Sequence, residues 1–253
     1  MADRVLLHLE TLRNGYLLYR ADQPWLIALT TVVPRLLLQG VFYTLLGRLL
    51  GGAAGARFAF TGATAFSATS ITIIGVCDVP VLDRWSDTYH RLQTAVIPPG
   101  TVYLYRAVPF ALDGMAAIVL VLCVDGPLLG LGRTSLSLLG VLPLLLLTAV
   151  TSSLFGLAVA ALAARSGQDV LFGNLAAYIV LAACGVVAPL SSRLHWIRPL
   201  GDVLPMTHGL AAVRAGLAGT GWAGDAGLEA AVGAAWLLIA LVLFRVGDRA
   251  ARG

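Results

Sequence analysis

Six mostly apolar stretches, each about 20 residues or longer, constrain the fold of this chain more than any other feature of its sequence. A helix needs about 20 such residues to cross the hydrocarbon core of a bilayer. The stretches are Trp25–Gly47, Phe58–Cys77, Val102–Val124, Ser135–Ala163, Val170–Leu190 and Leu228–Arg245. Of the 253 residues, 58% are hydrophobic and 12% are charged, against about 25% charged in a soluble domain. We therefore predict an all-α polytopic membrane protein with six transmembrane helices in a single domain.

The arginines indicate how such a domain is oriented. An even number of spans places both termini on one side of the membrane. With six spans, ten arginines lie on the side of the termini and six on the other, which favours cytoplasmic termini in the inner membrane. The net charge of +4 is small and spread along the chain, so we expect membrane lipids and no nucleic acid among its partners.

The residue types exclude several kinds of chemistry. All 17 basic residues are Arg, so the chain lacks the Lys of a P-loop and of a Schiff base. No HExxH or GxSxG motif is present. Cys77, Cys123 and Cys184 lie in separate apolar stretches without CxxC spacing, and His195 and His208 have no third ligand nearby. We predict no catalytic site, no metal site and no cofactor in this chain.

The N-terminal segment 1–24 carries charges throughout, so we expect no cleavable signal peptide there. Within residues 3–20, apolar and aromatic residues recur at spacings of three and four, which is typical of one helix face. They are Val5, Leu9, Leu12, Tyr16 and Tyr19. A short helix with Tyr and Arg beside an apolar stripe is typical of the membrane interface. The alternative is a soluble helix packed on protein.

Residues 82–96, between the second and third apolar stretches, show the same spacing. Leu82, Trp85, Tyr89, Leu92 and Val96 form the stripe, with Asp83, Arg84 and Asp87 among the polar residues beside it. The sequence Pro98-Pro99-Gly100 ends the pattern. We predict a short cytoplasmic amphipathic helix. Its aromatic stripe packs either on the spans of the chain itself or in the groove of a partner.

The segment 191–227, before the last span, is too long for a turn and too interrupted for a span. Residues 193–203 and 206–217 have the character of two short helices, separated at Leu204-Pro205. We predict a re-entrant helical hairpin in the outer leaflet, covered by protein because unpaired backbone at that depth is not tolerated. Residues 228–253 then supply the last span and the tail.

Two charged residues lie deep in predicted spans, where a central charge costs about 2.5–3.5 kcal/mol on insertion scales. Arg35 lies in the first span and Asp113 halfway along the third. One interpretation is a polar translocation path in which these two residues pair. The other is an interhelical ion pair that only fixes packing, with Arg106 reaching to the inner interface.

The order of these elements resembles the permeases of type-2 ATP-binding-cassette (ABC-2) exporters, a family that includes antibiotic and lipo-oligosaccharide exporters. Three stretches carry the resemblance. Val33–Gly47 is similar to the first span of the family, and Asp83–Leu92 with Pro98 and Pro99 is similar to the segment after its second span. Val203–Leu210, followed by Arg214 and Gly219, is similar to its segment before the last span.

The resemblance implies a permease subunit that works with a separate ABC ATP-binding protein, on which ATP and Mg²⁺ are bound. It also implies a dimer of permease chains, and export of an amphiphilic or hydrophobic substrate such as a drug, a lipid or a glycolipid. The residues expected to couple to the ATPase are Leu82, Asp83, Arg84, Trp85, Asp87, Tyr89 and Leu92. Those expected at an outer gate are Met206, His208 and Arg214, and Arg35 and Asp113 are the candidates for the translocation path.

Two other functions fit the same spans. One is a carrier driven by an ion gradient, with Asp113 as its proton site. The other is a membrane scaffold or immunity protein that transports nothing. A separate ATP-binding partner distinguishes the exporter from both.

Overall fold

The computed structural model describes residues 2–85, 97–189 and 197–252, with side chains for 6–85, 97–189 and 197–247. The regular structure in these ranges is helical throughout, which confirms the all-α prediction. The helices are α1 Ala2–Asp22, α2 Trp25–Ile27, α3 Val33–Trp85, α4 Pro99–Leu128, α5 Gly132–Gly140, α6 Leu142–Ser166, α7 Asp169–Ala183, α8 Ile197–Val203, α9 Thr207–Leu217 and α10 Ala223–Arg252. A π-helical stretch, Ala28–Val32, joins α2 to α3.

Four helical stretches in the described ranges are long and apolar enough to cross a membrane. They are Trp25–Trp85, Pro99–Leu128, Leu142–Ser166 and Ala223–Gly247. The first has 61 residues and folds back on itself, so it supplies two of the predicted spans. Helix α7 is apolar but has 15 residues, a rise of about 22 Å. The chain is thus an all-α polytopic membrane protein.

The fold-back within α3 lies at Gly51 and Gly52. Gly52 has φ +58°, a left-handed conformation that glycine adopts without the steric cost of a side chain. The limbs on either side, 33–50 and 53–85, then run antiparallel. A side chain on Gly47 would lie 2.6 Å from the carbonyl oxygen of Gly55, so the absence of side chains lets the limbs touch. We call this element the glycine hairpin.

The fourth predicted span, Ser135–Ala163, is wrong as a single helix. The structure breaks it at Val141 (φ −110°, ψ 19°) into α5 and α6. Pro143 lies in the first turn of α6, where its missing N–H costs nothing, whereas inside a continuous helix it would remove a hydrogen bond. Gly140 ends the preceding helix.

The fifth predicted span, Val170–Leu190, ends early. Helix α7 stops at Ala183, and Gly185 follows with φ +75°. The apolar sequence continues beyond this point, but its backbone does not remain helical. In the last segment the structure has two short helices, α8 and α9, on either side of 204–206, as predicted. Residues 190–196 lie outside the described ranges.

The second limb of the glycine hairpin forms the centre of the bundle. All its residues from Ala59 to Ile73 are buried, and most are Ala, Gly, Ser or Thr. Such small residues let membrane helices approach closely. A side chain on Gly156 of α6 would lie 3.0 Å from the Cα atom of Ile73, and one on Gly62 would lie even closer to the backbone of Val186.

The N-terminal helix α1 lies against α4, and its contact face differs in part from the predicted stripe. Gly15 is buried against the Arg106 side chain, and the Tyr19 ring packs edge-on against the Phe110 ring at 5.0 Å between centroids. Leu9 and Tyr16, which the periodicity assigns to the same face, are 58% and 48% exposed. Small Gly15 sets the contact, because it lets α4 approach the helix backbone.

Both chain ends belong to one end of the bundle. His8 of α1 contacts Tyr105 of α4, and the Tyr103 ring stacks on Phe244 of α10 at 4.8 Å between centroids. We call this the terminal end. The glycine hairpin turns at the opposite end, which we call the hairpin end.

Candidate functional site

A buried ion pair joins two spans at the terminal end. The Arg106 guanidinium of α4 donates a hydrogen bond from Nη1 to Oδ2 of Asp83, near the end of α3, and both side chains are buried. It is the only ion pair within 4.0 Å among the described residues. Arg106 also lies against Gly15 of α1, so three elements meet there. Arg106, which one interpretation of the sequence placed at the inner membrane interface, thus pairs with a carboxylate between two helices.

The predicted coupling residues differ in their surroundings. Asp83 forms the ion pair with Arg106. Leu82 beside it is half-buried and lines a small cavity together with Tyr19. Arg84 is exposed, and Trp85 is 77% exposed at the end of α3. Asp87, Tyr89 and Leu92 lie outside the described residues. The exposed indole of Trp85, directly before these three residues, is a candidate contact for another protein.

Asp113 is tied to the N-terminal helix. The Tyr19 hydroxyl donates a hydrogen bond to Oδ2 of Asp113. Burial raises the pKa of Tyr19 above its usual value, and the hydrogen bond to Asp113 raises it further, so the hydroxyl keeps its proton. The predicted pairing of Asp113 with Arg35 does not occur in this structure. Asp113 instead holds α1 against the middle of α4.

Arg35 lines a cavity of about 240 Å³ between the glycine hairpin and α7, which we call the Arg35 cavity. Residues with amide and hydroxyl groups line this cavity together with aromatic rings. The lining residues are Arg35, Gln39, Tyr43, Phe66, Ser70, Ile74, Asn174, Ala177 and Tyr178. No ion pair of Arg35 within 4.0 Å occurs in the described part of the chain, although Asp78 is close enough to interact with it electrostatically. The cavity combines hydrogen-bond donors with apolar walls, as small-molecule sites do.

At the hairpin end, a buried carboxylate holds the start of α9. Glu229 of α10 accepts hydrogen bonds from the backbone N–H groups of Met206 and Gly209, each at 2.8 Å, and from the Thr151 hydroxyl. Its side chain is 0% exposed. Met206 has φ +82°, which turns the chain into α9. Because the first N–H groups of a helix lack intrahelical partners, the carboxylate satisfies donors that would otherwise be buried unpaired.

The other two predicted gate residues make separate contacts. The Nε2 atom of His208 lies 3.1 Å from the carbonyl oxygen of Asp202. The Arg214 guanidinium donates to the carbonyl oxygen of Gly185 at 2.9 Å and lies 3.6 Å from the centroid of the Phe58 ring. Arg214 therefore connects α9 both to the turn after α7 and to the glycine hairpin.

The central residue of this region, Glu229, is one that the sequence did not identify as functional. Its position at the start of the predicted last span, Leu228–Arg245, indicates only a place at the outer membrane interface. The sequence does contain an indication of this contact. A carboxylate at the edge of an apolar stretch needs hydrogen-bond donors, and the helix start after Pro205 supplies backbone N–H groups.

Long apolar helices with polar contacts buried between them define an all-α polytopic membrane protein. A family model described as ABC-2 type transporter matches residues 11–218, and the chain belongs to this family. No curated protein matches the chain significantly. The family assigns it to ABC transporters as a membrane transport component, not a catalytic subunit, with no cofactor of its own. It also implies an ATP-binding partner.

Proposed function

We propose that this chain is the permease subunit of an ATP-driven exporter in the cytoplasmic membrane, with both termini in the cytoplasm. A separate ABC ATP-binding protein binds and hydrolyses ATP with Mg²⁺, and two permease chains enclose the path. The buried Asp83–Arg106 pair carries this proposal. It fixes the first residues of segment 82–96, which we call the root of the segment, on α4. Trp85, two residues after Asp83, remains exposed.

This anchoring suits a mechanical link. A force applied to segment 82–96 acts on a span only if the root of the segment is rigid. Asp83 joins α3 to α4 through Arg106, and Tyr19 joins α1 to α4 through Asp113. ATP-driven movement of the partner at segment 82–96 would therefore displace α1, α3 and α4 together.

The Arg35 cavity is the proposed part of the translocation path that recognises substrate. Its guanidinium, amides and hydroxyls suit the polar head of an amphiphile, and its rings suit an apolar body. Drugs, lipids and glycolipids share this chemistry. At the hairpin end, Met206, His208 and Arg214 are the proposed gate, with Glu229 holding the backbone of Met206.

We expect Trp85→Ala combined with Tyr89→Ala to abolish co-purification of the chain with its co-expressed ATP-binding partner. Interface tryptophans and tyrosines contribute a large share of binding energy, so the complex should weaken by about 100-fold or more. The measurement is the amount of partner retained on the affinity-tagged chain.

The matched control is Trp222→Ala, which removes a 47% exposed tryptophan at the opposite end of the bundle. This variant should retain the partner fully. Retention by the Trp85→Ala, Tyr89→Ala variant at the wild-type level would contradict segment 82–96 as the docking element.

A further inference from the structure

Two arginines of the glycine hairpin converge on one cavity at the hairpin end. Arg48 lies three residues before Gly51 on the first limb, and Arg57 lies five residues after Gly52 on the second. Both line a cavity of about 240 Å³, whose far wall is the turn between α4 and α5. The lining residues are Thr44, Leu45, Arg48, Ala53, Ala56, Arg57, Leu129, Gly130 and Leu131. We call it the Arg48–Arg57 cavity.

The charges in this cavity have one sign. No lining residue is acidic, and neither guanidinium forms an ion pair within 4.0 Å with any described side chain. The acidic residue nearest along α4, Asp125, is fully buried and pairs with neither arginine. Two like charges that share a cavity repel each other, and a bound anion removes that repulsion.

The position of the cavity indicates the source of the anion. The first pass, 25–50, rises about 39 Å, which exceeds the roughly 30 Å of the hydrocarbon core. Arg48 and Arg57 at its end therefore lie at the level of the lipid headgroups. Leu49 and Leu50, which follow Arg48 toward the turn, are 82% and 67% exposed, so this end of the hairpin is not covered by other parts of the described chain.

We propose that the Arg48–Arg57 cavity binds the phosphate of an anionic phospholipid headgroup. Each planar guanidinium can donate two parallel hydrogen bonds to phosphate oxygens, a geometry that favours Arg for this ligand. Bound phosphate would bridge the two limbs of the glycine hairpin next to its turn. The site is independent of the proposed export function, since it needs neither ATP nor a transported substrate.

The test is native mass spectrometry of the full chain in detergent, titrated separately with phosphatidylglycerol, phosphatidylcholine and inorganic phosphate. We expect phosphatidylglycerol to bind at least tenfold more tightly than phosphatidylcholine. Arg48→Gln combined with Arg57→Gln should weaken phosphatidylglycerol binding about tenfold or more. Arg133→Gln, an exposed arginine at the same end outside this cavity, should leave it unchanged.

Both substituted side chains are exposed, so the double variant should keep the thermal unfolding temperature of the wild type. A changed unfolding temperature would itself contradict the placement of these side chains. Equal phosphatidylglycerol binding by the wild type and the double variant would overturn the site. Inorganic phosphate binding as tightly as the lipid would overturn the headgroup assignment, and equal binding of the two lipids would overturn recognition of negative charge.

Discussion

Replacing Glu229 with alanine is expected to lower the free energy of unfolding by at least about 3 kcal/mol. The carboxylate accepts hydrogen bonds from Met206 N–H, Gly209 N–H and the Thr151 hydroxyl, and it is fully buried. Hydrogen bonds to a charged group contribute about 1.5–3 kcal/mol each, and the variant leaves the three donors without this acceptor. In detergent, the unfolding temperature should fall by about 6–12 °C.

Two further variants separate the hydrogen bonds from the simple loss of an acid. Glu229→Gln keeps one oxygen acceptor, so its unfolding temperature should lie between those of the wild type and Glu229→Ala. Asp225→Ala removes an acid from the first turn of the same helix, where no described side-chain hydrogen bond is lost, and should change the temperature little. An equal effect at positions 225 and 229 would show that the carboxylate does not hold α9.

Replacing Arg106 with leucine should destabilise the chain by about 3–5 kcal/mol, because the buried Asp83 would lose the guanidinium with which it pairs. The same variant should reduce the response of the partner's ATPase to the permease, since the root of segment 82–96 would no longer be fixed to α4. Thermal unfolding in detergent and ATP hydrolysis by the purified complex measure the two effects.

Asp83→Leu in the Arg106→Leu background should recover most of the lost stability, because apolar side chains of similar volume replace buried ion pairs at little cost. Arg13→Leu, on the exposed face of α1, is the control for loss of an arginine. An Arg106→Leu variant as stable as Arg13→Leu would contradict a buried pair. Unchanged ATPase stimulation in a destabilised Arg106→Leu chain would remove its role in coupling.

The sequence predicted helices well because hydropathy and periodicity report which residues leave water. It predicted two short helices, 193–203 and 206–217, separated at Leu204-Pro205, and the structure has helices at 197–203 and 207–217. It failed where the backbone breaks inside apolar sequence. The helices are interrupted at Val141 and end at Ala183 because the backbone changes conformation there. A hydropathy average does not detect such a change, since the sequence on both sides is apolar.

The partners of the buried charges were less predictable. Periodicity assigns Arg106 and Asp113 to one face of α4, but it does not tell which neighbouring helix that face meets. Arg106 pairs with Asp83, 23 residues earlier, and Asp113 with Tyr19, 94 residues earlier. These contacts depend on the packing of α1 and α3 against α4, where Gly15 permits close approach. Tertiary contacts of this kind are set by shape as much as by sequence pattern.

The proposed function unites these contacts in one mechanism. The terminal end contains the anchored root of segment 82–96, and the Arg35 cavity lies between the glycine hairpin and α7. The hairpin end contains α9, held by Glu229 and Arg214. In the proposed mechanism, motion that starts at the terminal end reaches the proposed gate through α3, whose second limb is buried along most of its length.

Site-specific photo-crosslinking tests the coupling of this permease to its ATPase most directly. A photo-reactive amino acid replaces Trp85 in one variant and Trp222 in another, each co-expressed with the ATP-binding partner in intact membranes. Our account predicts a crosslink to the partner from position 85 and none from position 222. A crosslink from position 222 without one from position 85 would place the ATPase at the wrong end of the bundle and contradict the account.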